Sequence, residues 1–170
     1  MASLSMPQPL QKVAAVCCRP IANGDVMFLL VRSRGGNRWT FPKGTIEVTD
    51  ASPAAAAERE ALEEAGVVGT IDPLPLGTYR KSVPARKFLQ SEPEEEVQAW
   101  LFLFTGIRAA GEFGRRPTWF NYERAAAAFR TNPDDAVYIE ELCRILAAAK
   151  ARLHSGGENI SGIAAGPSLA

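Results

Sequence analysis

One histidine and three cysteines are all the imidazole and thiol chemistry that this chain of 170 residues carries. His154 stands beside Ser155, Gly156 and Gly157 in a stretch that reads as a tail. No histidine-based triad can therefore be assembled, and the cysteines show no zinc-ligand spacing. Nor do three cysteines make a disulfide framework. Cys17 and Cys18 are adjacent and would point to opposite faces of a strand, which suits core thiols in a reducing compartment. An excess of one charge is also missing: 19 Lys+Arg balance 19 Asp+Glu, so no whole-molecule field exists to hold nucleic acid or an anionic membrane. A polyanion would have to be met by a local basic cluster. No apolar run approaches the ~20 residues of a membrane span. Met1 to Leu10 lack the basic start and apolar run of a leader. These absences predict a cytoplasmic protein with no nucleic-acid or membrane partner, in which catalysis must use carboxylates.

The 46% hydrophobic and 22% charged residues suit one globular domain, expected over residues 11–153 between disordered tails at 1–10 and 154–170. Val13 to Cys18 and Val26 to Val31 read as a hairpin across an Asn23-Gly24 turn, followed by a short extended piece from Trp39 to Phe41. Further strands are expected at Val67 to Ile71, Gly77 to Val83 and Val97 to Ile107, the last apolar enough for a central position. After a short extended Trp119-Phe120, helices are expected at Tyr122 to Phe129 and Asp134 to Leu153. The second of these carries Val137, Ile139, Leu142, Ile145 and Leu146 as its apolar positions. Strands and helices together make an α+β protein.

The informative helix is Pro53 to Ala65. Ser52 is a natural N-cap, Pro53 suits the first helical position and Gly66 is a left-handed stop. Glu60, Glu63 and Glu64 fall at i, i+3 and i+4 and so share one face. Ala61, Leu62 and Ala65 project to the other side, toward a sheet, and Glu58 falls among those apolar positions. Such a triplet is either a solvated face or a cluster that a divalent cation neutralises, Mg²⁺ or Mn²⁺ being the natural candidate.

The surrounding residues decide between these. From Gly44 the chain reads GTIEVTDASPAAAAEREALEEAGV, which closely resembles the Nudix box. Arg59-Glu60-Ala61-Leu62-Glu63-Glu64-Ala65-Gly66-Val67 matches its whole second half, with Ala61 small for its position. In the first half Asp50 stands where the pattern has a glutamate, and one extra residue separates it from Arg59. On that register Asp50 is expected to matter little, with Glu47 a partial substitute. The resemblance runs from about Lys12 through Leu142 and extends to diphosphoinositol polyphosphate phosphohydrolases, through Val16-Cys17-Cys18, Arg38-Trp39, Gly114-Arg115 and Trp119-Phe120. Pro42-Lys43-Gly44 resembles the form in diadenosine polyphosphate hydrolases.

The resemblance implies an α/β/α sandwich with a mixed β-sheet, a bound Mg²⁺ or Mn²⁺, and hydrolysis of a diphosphate linkage in a small-molecule phosphoanhydride. The candidates are a dinucleoside polyphosphate, a diphosphoinositol polyphosphate or a similar compound. It implies that Glu60 and Glu64 ligate metal, that Glu63 ligates a second metal or acts as base, and that the Lys43 carbonyl completes the coordination. Arg59 would hold the glutamates. Lys12, Arg34, Arg38, Lys43 and Arg115 stand in stretches similar to phosphate-contacting parts of the family. Glu94-Glu95-Glu96 departs from it, since an acidic run there disfavours the most charged substrate unless Arg80, Lys81, Arg86 and Lys87 compensate. Trp39 is expected in the core, with base stacking as its other possible use. A Nudix-fold module that binds a nucleotide or a protein without hydrolysis is the alternative reading, and three repelling carboxylates speak against it.

Overall fold

The computed structural model describes residues 10–82 and 94–158. In chain order these form β1 (Leu10–Pro20), β2 (Val26–Arg32), β3 (Trp39–Thr40), β4 (Lys43–Thr45), α1 (Pro53–Ala65), β5 (Val67–Ser82), β6 (Glu94–Ile107), β7 (Thr118–Asn121), α2 (Tyr122–Arg130) and α3 (Ala136–Glu158). The strands make one mixed sheet in the order β3-β2-β1-β6-β5, with β4 added to β1 and β7 to β2. Only the central pair, β1 and β6, is parallel.

Strand alternation divides the core in two. Ala14, Val16 and Cys18 of β1 pack with Val97, Ala99 and Leu101 of β6 beneath α2 and α3, around Phe129, Leu142, Ile145 and Leu146. Val13, Ala15 and Cys17 face the other way and pack with Trp100 and Phe102 under Ala56, Ala57, Ala61 and Ala65 of α1. The expected α/β/α sandwich with a mixed sheet is the fold observed. Cys17 and Cys18 lie fully buried on opposite faces, and burial pushes both thiols well above their ordinary pKa.

Several details differ from the sequence pattern. The two strands expected around Pro73 and Pro75 are one strand, β5, kinked by irregularities between Ile71 and Gly77. β5 lies at the edge of the sheet, where a residue without an N–H leaves no neighbour unpaired. Val83, expected to end that strand, lies outside the described residues. β6 begins three residues earlier than its apolar run, at Glu94. On α1, contact with the sheet is made by alanines. Leu62 is only half-buried and Glu58 is exposed, so the helix turns that edge to solvent. Val137 is exposed on α3, and the helix continues past Leu153 to Glu158. His154 and Ser155 are therefore helical, each with a side chain bonded to the carbonyl four residues back, on Lys150 and Ala151. The tail expected from 154 is described only as far as Glu158, and the one at 1–10 lies outside the described residues apart from Leu10. Among the described residues no helix is long and apolar enough to cross a membrane.

The caps of α1 are those the sequence predicts. Ser52 accepts from the Ala55 N–H at 3.1 Å, and Gly66 ends the helix at φ +70°. A Cβ at Gly66 would stand 1.9 Å from the Ala109 carbonyl oxygen, so both the left-handed backbone and the close approach require glycine. Gly66→Ala is expected to lower stability by about 2–4 kcal/mol, read as the shift of a urea unfolding midpoint.

Candidate functional site

The acidic face of α1 opens into a cleft of about 750 Å³. β4 forms one wall, and Gly44 allows it to approach: a Cβ there would lie 2.0 Å from a Glu60 carboxylate oxygen. The loop after β6 folds back over the end of α1. Arg108 N–H donates to Gly66 O at 2.8 Å and Glu112 N–H to Glu63 O at 2.9 Å, which delivers Arg115 to the glutamates.

Arg59 organises the floor. Its Nη1 donates to Glu60 at 2.9 Å and Glu63 at 3.2 Å, and its Nη2 to the Thr45 carbonyl at 3.0 Å. Nε and Nη2 together grip the two oxygens of Asp50, each at 2.9 Å. The expectation that Asp50 stands apart from the box is thus corrected. The extra residue is absorbed in the loop, where Asp50 accepts the Glu47 N–H at 2.8 Å and turns its carboxylate back to Arg59. This forked pair holds Asp50 down at about 2 and pushes Arg59 up. Glu47, the expected substitute, is largely exposed and 3.7 Å from Arg59.

Glu60 and Glu64 are buried, with 8% and 5% of their surface exposed, whereas the Glu63 side chain is 56% exposed. Glu64 pairs with Arg115 at 2.9 Å and accepts the Lys43 N–H at 3.2 Å. The Lys43 amide thus ties β4 to the glutamate face of α1. Burial raises both carboxyls above their ordinary range, Glu64 to about 7 against the opposing pull of Arg115.

All nine residues singled out from the sequence line this one cleft: Lys12, Arg34, Arg38, Lys43, Arg59, Glu60, Glu63, Glu64 and Arg115. Each of the basic ones already has a carboxylate partner. Lys12 and Lys43 meet Glu95 at 2.7 and 3.4 Å, and Arg38 Nε meets both oxygens of Asp134 at 2.9 and 3.0 Å. Arg115 also meets Glu112 at 2.6 Å, and Arg34 reaches Glu112 at 3.7 Å. The pattern reading missed Glu112, Asp134, Asn132 and Tyr138, which also line the cleft. They lie outside the box and carry no local signal. Asn132 shows why structure was needed, for its side chain bonds both the N–H and the carbonyl of Trp39 at 2.8 and 2.9 Å. Trp39 itself is half-buried, with Arg32 over its ring at 3.8 Å and Phe120 edge-on at 5.1 Å. Arg86 and Lys87 lie outside the described residues.

Among the described residues, no three of His, Cys, Asp or Glu lie close enough together to hold a metal ion. The donor set nonetheless fits a hard divalent cation, with two buried carboxylates of like charge and a third, exposed one on the same face. In the arrangement seen, their oxygens turn to Arg59, Arg115 and the Lys43 amide instead.

A family model described as NUDIX domain matches residues 11–142. The chain belongs to the Nudix family. Its human relative diphosphoinositol polyphosphate phosphohydrolase 3-alpha is 30% identical over 141 residues, 80% of each chain. By fold it is similar to Ap4A hydrolase of C. elegans, at TM-score 0.61 and 23% identity over 86% of this chain and 98% of that one. It is also similar to the NUDIX domain of Shewanella oneidensis NrtR, solved with ADP ribose, at TM-score 0.62 and 16% identity over 90% and 94%. As a Nudix hydrolase it is a pyrophosphohydrolase acting on phosphoanhydride bonds.

Two outcomes follow from the geometry. Asp50→Ala frees the Nε side of Arg59 and is expected to lower kcat by about tenfold or more with the fold retained, as read by turnover and circular dichroism. In chelator, Glu64 binds its proton more tightly folded than unfolded, so stability is full below its ordinary pKa of 4.5 and falls as pH rises toward 7. The loss is expected to reach up to about 3 kcal/mol, to be reduced by Mg²⁺ and, in Glu64→Gln, to shrink to what Glu60 contributes. Urea unfolding across that window measures it.

Proposed function

We propose that this protein is a Mg²⁺- or Mn²⁺-dependent hydrolase of the diphosphate linkage in dinucleoside polyphosphates or similar nucleoside-diphosphate-linked compounds. Diphosphoinositol polyphosphates are the less favoured substrates. The observation that carries this reading is the ion pairing in the cleft: every basic residue expected to meet phosphate already has a carboxylate partner, with Glu95 shared by Lys12 and Lys43 and Glu112 by Arg34 and Arg115. A dense polyanion therefore finds few uncommitted cations. Glu60, Glu63 and Glu64, with the backbone carbonyl of Lys43, would hold the metal. When bound, it neutralises charge developing on phosphate oxygens and lowers the pKa of an attacking water. Arg59 keeps Glu60 and Glu63 on one face, and Arg115 orients Glu64 while its own charge is balanced by Glu112. The human relative named as a diphosphoinositol polyphosphate phosphohydrolase and the Ap4A hydrolase fold support the two substrate classes considered. A cytoplasmic location belongs to the same proposal, supported by three free cysteines.

Excess chelator is expected to abolish turnover of diadenosine polyphosphates, and Mg²⁺ or Mn²⁺ to restore it. Glu64→Gln is expected to lower kcat by about 100-fold or more with the fold retained, as read by circular dichroism. Full turnover in chelator would overturn the metal dependence. A higher kcat/KM on diphosphoinositols than on dinucleoside polyphosphates would overturn the substrate preference.

A further inference from the structure

Three lysines that line the cleft, from three strands, lie around the carboxylate of Glu95, which two of them contact and the third stands opposite in the strand register. The sheet register places them there. In the parallel pairing of β1 and β6, Leu10 lies beside Glu95 and Lys12 beside Val97. In the antiparallel pairing of β5 and β6, Lys81 stands opposite Glu95, and β4 lays Lys43 beside Ala14. Along β6, Glu95 shares its face with Val97, Ala99 and Leu101, the stripe that packs under α2 and α3. Lys12 extends the Ala14, Val16, Cys18 stripe of β1 in the same way, and Lys81 continues from buried Tyr79 on β5. These side chains therefore emerge together where the core ends and the cleft begins.

The two oxygens of Glu95 are divided between two cations, Oε1 to Lys12 at 2.7 Å and Oε2 to Lys43 at 3.4 Å. All three side chains are mostly withdrawn from water, with exposures of 13%, 22% and 17% in that order. Lys81 lines the same cleft, with its ammonium 5.2 Å from the Tyr138 ring, and is close enough to Lys43 to disfavour that lysine's charge. Three ammonium groups against one carboxylate leave a formal excess of two positive charges. The neighbouring pair behaves otherwise. Glu96 and Arg80 are also cross-strand partners, 3.1 Å apart, but alternation puts them on the opposite face of the sheet from Glu95 and the three lysines.

We propose that Glu95 is a built-in counter-ion that occupies the anion-binding corner formed by Lys12, Lys43 and Lys81, and so limits how many phosphates this cleft accepts. A phosphate oxygen can take over the ammonium contacts of Lys12 and Lys43 only by displacing the carboxylate. A short phosphate chain held at the glutamate face of α1 has no further phosphate to offer the corner. A longer or more highly phosphorylated one must compete there. This rests on the reading of the cleft as a phosphoanhydride site, and it singles out Glu95 among the three acidic residues of its run.

Binding to the full chain at fixed free Mg²⁺ and low ionic strength, measured by calorimetry with inorganic phosphate and with tripolyphosphate, tests the corner without catalysis. Glu95→Gln is expected to tighten tripolyphosphate by about tenfold and inorganic phosphate by less than about twofold, the difference shrinking as salt is raised. Adding Lys12→Met to that variant should abolish the gain. Lys81→Gln alone should weaken tripolyphosphate several-fold and leave inorganic phosphate unchanged, which keeps the test decisive if Glu95→Gln impairs folding. Glu96→Gln serves as the control on the other face, with no change expected. Equal effects on both ligands, unchanged or weaker tripolyphosphate binding by folded Glu95→Gln, no effect of Lys81→Gln, or a matching gain in Glu96→Gln would each overturn the proposal. A chain that turned over no diphosphate compound would overturn the hydrolytic reading while this binding comparison still stood.

Discussion

The guanidinium of Arg59 is the contact on which the site depends. It spans Asp50, Thr45, Glu60 and Glu63, so one rigid, permanently charged group joins the loop before α1, the end of β4 and the acidic face of the helix. Lysine has neither the planar fork nor enough fixed donors to do this. Without it, the repulsion between Glu60 and Glu63, which helical spacing puts on one face, would go uncompensated. Its position is set by elementary features in turn: a Ser52 cap and Pro53 start the helix, Gly66 stops it, and small alanines let it lie close on the sheet.

Burial then does what sequence spacing alone cannot. Glu60 and Glu64 are withdrawn from water between helix, β4 and the loop bearing Arg115, and their carboxyls hold protons more tightly than exposed glutamates do. Glu63, one turn away on the same face, stays wet. A buried pair of like charges is unfavourable unless cations compensate, and here Arg59, Arg115 and the Lys43 amide share that role. The same groups would have to give way, at least in part, to a metal ion. If a metal is held there as proposed, the resting and loaded sites would be two electrostatic arrangements of one set of donors.

Neutralisation extends beyond the floor. Lys12, Arg34, Arg38, Lys43 and Arg115 look like a basic ring when read as single residues, yet each faces Glu95, Asp134, Glu112 or Glu64. The cations of the cleft are thus tied into ion pairs, some sharing one carboxylate, and the pairing, more than the count of cations, sets what the cleft can attract.

Much was legible without coordinates because it is local. The α1 caps, the shared face of Glu60, Glu63 and Glu64, the β1–β2 hairpin and the opposite facing of Cys17 and Cys18 follow from helical and strand periods over a few residues. Even the single mixed-sheet layer between helices follows from the family pattern that those residues carry. Long-range placement was not legible. That Asp50 folds back to Arg59 despite an inserted residue depends on a loop conformation with no periodicity to read. That Glu95 faces the lysines while Glu96 faces away depends on the register of β6 between β1 and β5. A one-residue shift in that register would exchange their faces, and only the packed sheet decides it.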